Sequence, residues 1–230
     1  MCQVCRQSGR QISEVSAGLL VDVDIAVWAL GAYCGSWRRI ILAAKHRKVP
    51  AALKLIEECG YDVGKQLVSS EGCNLVLSGA RADNLEDTQA ELWVVPAPSH
   101  RRGRSGMPSV AQVFALGIAR GYARGVEENL VSRVRVVDLL SIKPGVTSQA
   151  GLGGKARARN RAETMSIKGN VKDVRGSKAH LVFVDDVLAS GATLAEALRV
   201  LELNDLSVLT CAVLAASSNS GRKDSKDNLS

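Results

Sequence analysis

Asp185 and Asp186 stand side by side after the apolar run Leu181 to Val184, and a stretch of small residues, Ala189, Ser190, Gly191 and Ala192, separates them from Thr193. A carboxylate only accepts hydrogen bonds, so two adjacent ones suit the neighbouring hydroxyls of a diol. Small residues let successive backbone N–H groups converge on one anion, and a helix N-terminus adds partial positive charge. Ser190 and Thr193 can add hydroxyl donors. Two carboxylates would repel a phosphate placed directly beside them. The phosphate therefore belongs in the loop and the diol on the acids, which describes a phosphorylated sugar. Asp185 and Asp186 are the candidate catalytic pair, and Val187, Leu188, Ala189, Ser190, Gly191, Ala192 and Thr193 are the candidate ligand-binding stretch. The competing reading is a pair of acids that merely caps a helix, against which the length and strand-to-helix context of the run argue.

These residues need a buried strand before them and a helix after them. Leu181 to Val184 is short and wholly apolar, and Leu194, Leu198 and Leu201 recur at helical spacing before a second apolar run, Ser207 to Leu214. That is a strand, helix, strand unit, with a loop from Val187 to Ala192 and a helix from about Thr193. Leu92 to Val95 and Val134 to Leu140 read as further strands and Val110 to Tyr122 as a helix. Strands apolar on both faces and alternating with helices predict an α/β fold, a parallel sheet covered on both sides. Ligands bind such sheets at the carboxyl ends of the strands.

The earlier part of the chain reads as a β/α appendage. Leu19 to Tyr33 is β-rich, with Val21, Val23, Ile25 and Val27 alternating. Trp37, Ile40, Ile41 and Ala44 follow at helical spacing, and Pro50 opens a second helix with Leu53, Ile56 and Leu67 on its apolar positions. The pattern weakens between Val68 and Asp87, which suggests a junction. The expected organisation is an N-terminal β/α subdomain with a hood region over residues 1–88, a core over 89–216, and a tail over 217–230 too poor in apolar residues to order itself.

The composition is that of a globular protein: 230 residues, 46% hydrophobic and 23% charged. The apolar stretch Leu19 to Tyr33 is interrupted by Asp22 and Asp24 and falls short of the ~20 apolar residues that span a bilayer, so no membrane insertion is expected. No secretion signal opens the chain, and a cytoplasmic location follows as the expectation. Of the 6 cysteines, Cys34, Cys59, Cys73 and Cys211 stand singly in apolar or helical surroundings and are read as reduced thiols. The formal charge of +7 suits anionic partners, whether nucleic acid or phosphorylated metabolites. Aromatic residues make up only 3% of the chain, and Trp28, Trp37 and Trp93 lie in apolar runs, so direct single-strand binding by stacking is disfavoured.

The run from Val182 to Leu194 resembles the motif of type I phosphoribosyltransferases, in which two acids precede small or hydroxyl residues, a Gly and a Thr. Ala189 stands where a hydroxyl residue is often found, at a position that works mainly through its backbone N–H. Four segments in order narrow the likeness to the ComF (competence protein F-like) family, which is related to amidophosphoribosyltransferases: Tyr33 to His46 (YCGSWRRIILAAKH), Val94 to Arg102 (VVPAPSHRR), Ser148 to Asn160 (SQAGLGGKARARN), and the aspartate segment itself. The resemblance implies that the Pro-rich loop faces a pyrophosphate, making Ser99, His100, Arg101 and Arg102 candidate contacts, where Arg suits forked phosphate recognition. A solvated basic loop is the alternative. Lys45, Gln149, Arg157 and Asn160 match the family pattern without a role that their chemistry alone supplies.

From that resemblance follows an expected ligand, 5-phosphoribosyl-1-pyrophosphate (PRPP) with Mg²⁺, and an expected reaction, displacement of pyrophosphate by an unidentified nitrogen acceptor. The alternative is a non-catalytic accessory protein that senses PRPP or serves DNA uptake in competence, with uptake proteins as partners. This sequence departs from the family in two places. The stretch that relatives carry as Arg-Gly-Phe-Asn-Gln is here Arg104 to Val110, RSGMPSV. Many relatives open with a zinc ribbon of two Cys pairs, whereas this chain offers only Cys2 and Cys5 before Cys34. A structural zinc wants four ligands, so no zinc site is expected at Cys2 and Cys5.

Overall fold

A computed structural model of the chain describes residues 13–15, 25–69, 91–99, 107–125, 133–143, 164–168 and 179–217. Along the chain come β1 (Ser13–Val15), β2 (Ala26–Ala29), α1 (Gly35–Leu42), a π-helical turn (Ala43–Arg47) and α2 (Pro50–Ser69). They are followed by β3 (Glu91–Pro96), α3 (Val110–Gly125), β4 (Arg133–Val136), β5 (Leu140–Ile142), β6 (Met165–Ile167), β7 (Ala179–Leu188), α4 (Ala192–Glu202) and β8 (Val208–Ala216). A 6-stranded sheet has the order β1-β2-β8-β7-β3-β4. β1 runs antiparallel to β2, and every other neighbour in this sheet is parallel. The expected α/β architecture is therefore present: a mostly parallel sheet flanked by helices.

Both faces of the sheet are covered, which explains why its central strands are apolar throughout. Leu92, Val94, Val182, Val184, Ala212 and Leu214 pack with Ile41, Ile56, Val63, Phe114 and Ile118 of α1, α2 and α3. Trp93, Val95, Leu181, Phe183, Cys211 and Val213 pack with Leu194, Ala197 and Leu201 of α4, and with Leu140 and Met165 of the antiparallel pair β5–β6. The alternation along each strand sends neighbouring residues to opposite layers. β4 is different because it forms an edge, with Arg133 and Arg135 turned outward and Val134 and Val136 against the core.

On the first face, α2 and α3 meet at their glycines. A Cβ built on Gly64 would stand 2.2 Å from the carbonyl oxygen of Ile118, and one on Gly121 only 1.9 Å from that of Tyr61. Gly60 and Gly117 face the partner backbone in the same way. Both helices carry Gly at i and i+4, so the small residues line one stripe on each and the backbones touch.

Several boundaries differ from the sequence expectation. The run Val134 to Leu140 is not one strand: β4 ends at Val136, and Leu140 opens β5 in a separate two-stranded antiparallel sheet with β6. Leu139 and Leu140 instead serve the layer beneath α4, which needs a change of direction after β4. Of the β-rich stretch Leu19 to Tyr33, β2 occupies Ala26–Ala29 and residues 19–24 lie outside the described residues, while the expected helix after Tyr33 runs from Gly35. β2 pairs with β8, and α1 and α2 share a core with α3. The stretch expected as a junction lies mostly outside the described residues, as does the tail from residue 218. No helix among the described residues is long and apolar enough to cross a membrane.

Candidate functional site

Strand order defines where a ligand can sit. From β3 the chain passes through α3 to β4 on one side, and from β7 it passes through α4 to β8 on the other. Crossovers of one hand that leave in opposite directions place their helices on opposite faces, and a crevice opens between the two strands at their carboxyl ends. Here those strands are β3 and β7. Their pairing ends at Pro96 with Val184, where the Ala97 N–H donates to the Val184 carbonyl at 2.7 Å. β7 continues to Leu188 alongside β8, so Asp185 and Asp186 project beyond the last β3 pair at the mouth of the crevice.

This extension corrects the expected loop. Val187 and Leu188 are in register with Ala215 and Ala216 of β8, and that pairing keeps them extended. The turn proper is Ala189, Ser190 and Gly191, with Ala192 already helical. The turn with the first residues of α4 thus runs from Ala189 to Thr193, shorter than the expected stretch from Val187. Gly191 is the residue before α4 and has φ 71, a left-handed conformation for which Gly carries no Cβ penalty. Ala189 is exposed, Ser190 and Thr193 are half-buried, and Ala192 is buried. The first N–H groups of a helix have no acceptor within it, so the start of α4 presents donors beside the aspartates.

The two carboxylates have distinct surroundings. The N–H of Asp186 donates to Asp185 Oδ1 at 2.7 Å, holding the first carboxylate against its own chain. Burial pushes the Cys211 thiol of β8 well above its ordinary range, and the nearby Asp185 charge adds to this, so the thiol is protonated and inert. Asp186 accepts a hydrogen bond from Lys45 Nζ at 2.7 Å, across the face covered by α1, α2 and α3. For Lys45, burial is the largest influence and disfavours the charge. Asp186, through its charge and its hydrogen bond, together with Asp185 and Tyr33, outweighs it, and the ammonium sits above its usual value.

Of the sequence candidates, Asp185, Asp186, Val187, Leu188, Ala189, Ser190, Gly191, Ala192, Thr193 and Lys45 belong to one neighbourhood at the end of β7. Ser99 follows β3, on the other side of the crevice. His100, Arg101, Arg102, Gln149, Arg157, Asn160, Cys2 and Cys5 lie outside the described residues. Tyr33 is an addition: its N–H donates to the Ala216 carbonyl at 2.7 Å, and its phenol is the smallest of the influences that favour the Lys45 charge. No sequence pattern near Asp186 announces a residue so remote in the chain.

Among the described residues, no group of three or more His, Cys, Asp or Glu is arranged to hold a metal ion. The adjacent carboxylates nonetheless fit a magnesium ion carried mainly by the oxygens of a bound phosphate and by water, which asks one or two carboxylates of the protein.

No family model matches this chain, and no curated protein does. Among solved structures it is similar to crystal structures of adenine phosphoribosyltransferase from Leishmania donovani, at 13% identity and a TM-score of 0.34, over 96% of this chain and 94% of that chain.

Proposed function

We propose that this protein binds PRPP and transfers its phosphoribosyl group to a nitrogen acceptor, in the manner of ComF-like phosphoribosyltransferases. The observation that carries the reading is the placement of Asp185 and Asp186 at the mouth of the β3–β7 crevice, directly before the Gly191 turn into α4. Backbone N–H groups from Ala189 to Thr193 hold the 5-phosphate, which the start of α4 favours electrostatically. Asp185 and Asp186 hold the 2- and 3-hydroxyls. The bond from C1 to the pyrophosphate oxygen breaks with its electron pair leaving on the pyrophosphate, and a bond from C1 to nitrogen forms while the acceptor loses a proton. Positive charge on the ring in the transition state is favoured by the paired carboxylates. A Mg²⁺ ion, which Asp185 or Asp186 would help to hold, would supply compensation for the charge on the pyrophosphate. The Pro-rich segment ending at Ser99 borders the same crevice, which suits it to the pyrophosphate side of the ligand.

Calorimetric titration of the protein with PRPP and Mg²⁺, beside the variant carrying both Asp185→Asn and Asp186→Asn, tests this reading. Saturable binding by the parent protein that the variant loses is the expected result. A parent protein that does not bind, or a variant that binds equally well, overturns it.

A further inference from the structure

Lys45 reaches Asp186 from a segment built at some cost. It lies in the π-helical turn Ala43–Arg47, an uncommon helix variant that recurs at functional positions. The turn ends at Lys48, whose φ of 52 is left-handed for a side chain with a Cβ. Lys48 Nζ donates to the Pro108 carbonyl at 3.1 Å, tying the turn to the segment that leads into α3. Ala44 is fully buried beneath the turn, so the position of Lys45 next to it is set by the core.

Stability does not account for this arrangement. The Lys45 side chain is 48% exposed against 14% for Asp186, and an ion pair whose cation stays half in water contributes modestly to folding. Electrostatics at the crevice does account for it. Asp185 and Asp186 form a doubly negative mouth that would repel any phosphorylated ligand, and Lys45 is the cation placed on one of them. A carboxylate has about four acceptor sites on its two oxygens, so an ammonium and a hydroxyl can share Asp186 without competing.

We propose that Lys45 is a positioning residue for the anionic ligand: its ammonium stays on Asp186 when the sugar diol binds and cancels the charge that would keep phosphate away. This rests on the sugar-phosphate reading of the site and adds to it a residue whose role the motif does not supply. Removing the ammonium should weaken binding in proportion to ligand charge, because the uncovered carboxylate repels each added phosphate.

The test is calorimetric titration of the parent protein, Lys45→Met and Lys45→Arg with Mg²⁺ and either PRPP or ribose 5-phosphate, with thermal melting of each variant. Lys45→Met should lose on the order of tenfold or more in affinity for PRPP, about 1.4 kcal/mol per decade, and less for ribose 5-phosphate. Lys45→Arg should recover most of the loss, and the melting temperatures should stay together. Unchanged PRPP affinity in Lys45→Met, or an equal loss for both ligands accompanied by a lower melting temperature, overturns the assignment while leaving the sugar-phosphate site intact. A parent protein that binds neither ligand removes the site and the role of Lys45 together.

Discussion

The two faces of the sheet are closed by different means. On one, α2 lies against α3 with backbone touching backbone at Gly60, Gly64, Gly117 and Gly121, and apolar side chains fill the flanks. On the other, α4 holds the β5–β6 pair through a buried carboxylate. Glu196, 4% exposed, accepts the Met165 N–H at 3.0 Å on Oε1 and the Arg199 guanidinium at 2.8 and 2.9 Å. The first closure depends on shape and tolerates no added atom. The second depends on hydrogen bonds and tolerates no missing one. The Gly191 turn belongs to the second face, since α4 starts there, whereas Lys45 arrives from the first.

The largest effect should come from breaking the first closure. Gly121→Ala puts a methyl group within the carbonyl of Tyr61, so the helices must part and the contacts around Phe114 and Ile118 loosen. We expect a loss of about 3 kcal/mol, read as a fall of roughly 6 to 12 °C in melting temperature. Gly35→Ala is the control: it has φ 46 but nothing within 4 Å, and should cost only about 1 kcal/mol, from the left-handed backbone alone. Equal losses in the two variants would mean that the helices are not locked by close approach.

On the second face, Glu196→Ala strands the Met165 N–H and the Arg199 guanidinium, at a cost of about 2 kcal/mol. Glu196→Gln keeps an acceptor for Met165 and should lose less. Hydrogen exchange should locate the damage in β5 and β6, with α2 and α3 unaffected. Loosening spread evenly over both faces would dissolve the distinction between them.

A subtler probe sets a partnered polar atom against an unpartnered one. His180 of β7 buries Nδ1 without a hydrogen-bond partner, and desolvation lowers its pKa from the ordinary 6.5. The unfolded chain therefore takes up a proton here at a higher pH than the folded one. The contribution to stability is complete above about pH 6.5 and declines as the pH falls through the folded value. Urea midpoints at pH 7.5 and pH 5.5, compared with those of His180→Gln, should show a smaller acid-induced loss in the variant. An identical pH dependence in both proteins would assign that loss to other groups.

What the residues themselves announced was local. The aspartate pair, the small-residue turn and α4 are consecutive in the chain, so strand, loop and helix could be read from one short window. The central strands were legible because burial on both faces leaves no polar alternation to confuse them. β4 reads too long from sequence for a related reason: Val136, Val137, Leu139 and Leu140 follow one another with only Asp138 between, but they serve two layers, and packing divides them.

Tertiary structure decided everything that depends on distant partners. That β7 runs on to Leu188 follows from its pairing with β8, not from Val187 and Leu188 themselves, which read as the start of the loop. The crevice exists because β3 and β7 are neighbours whose crossovers depart in opposite directions, a property of strand order with no local trace. The spacing of Gly60 and Gly64 with Gly117 and Gly121 could be seen along the chain, but not that the two pairs face each other. Lys45 and Asp186 are 141 positions apart, and their meeting depends on a π-helical turn that no helical periodicity foretells. Short-range propensity and burial pattern thus chose the elements and the small-residue turn before α4, while long-range packing chose which charge stands against the aspartates.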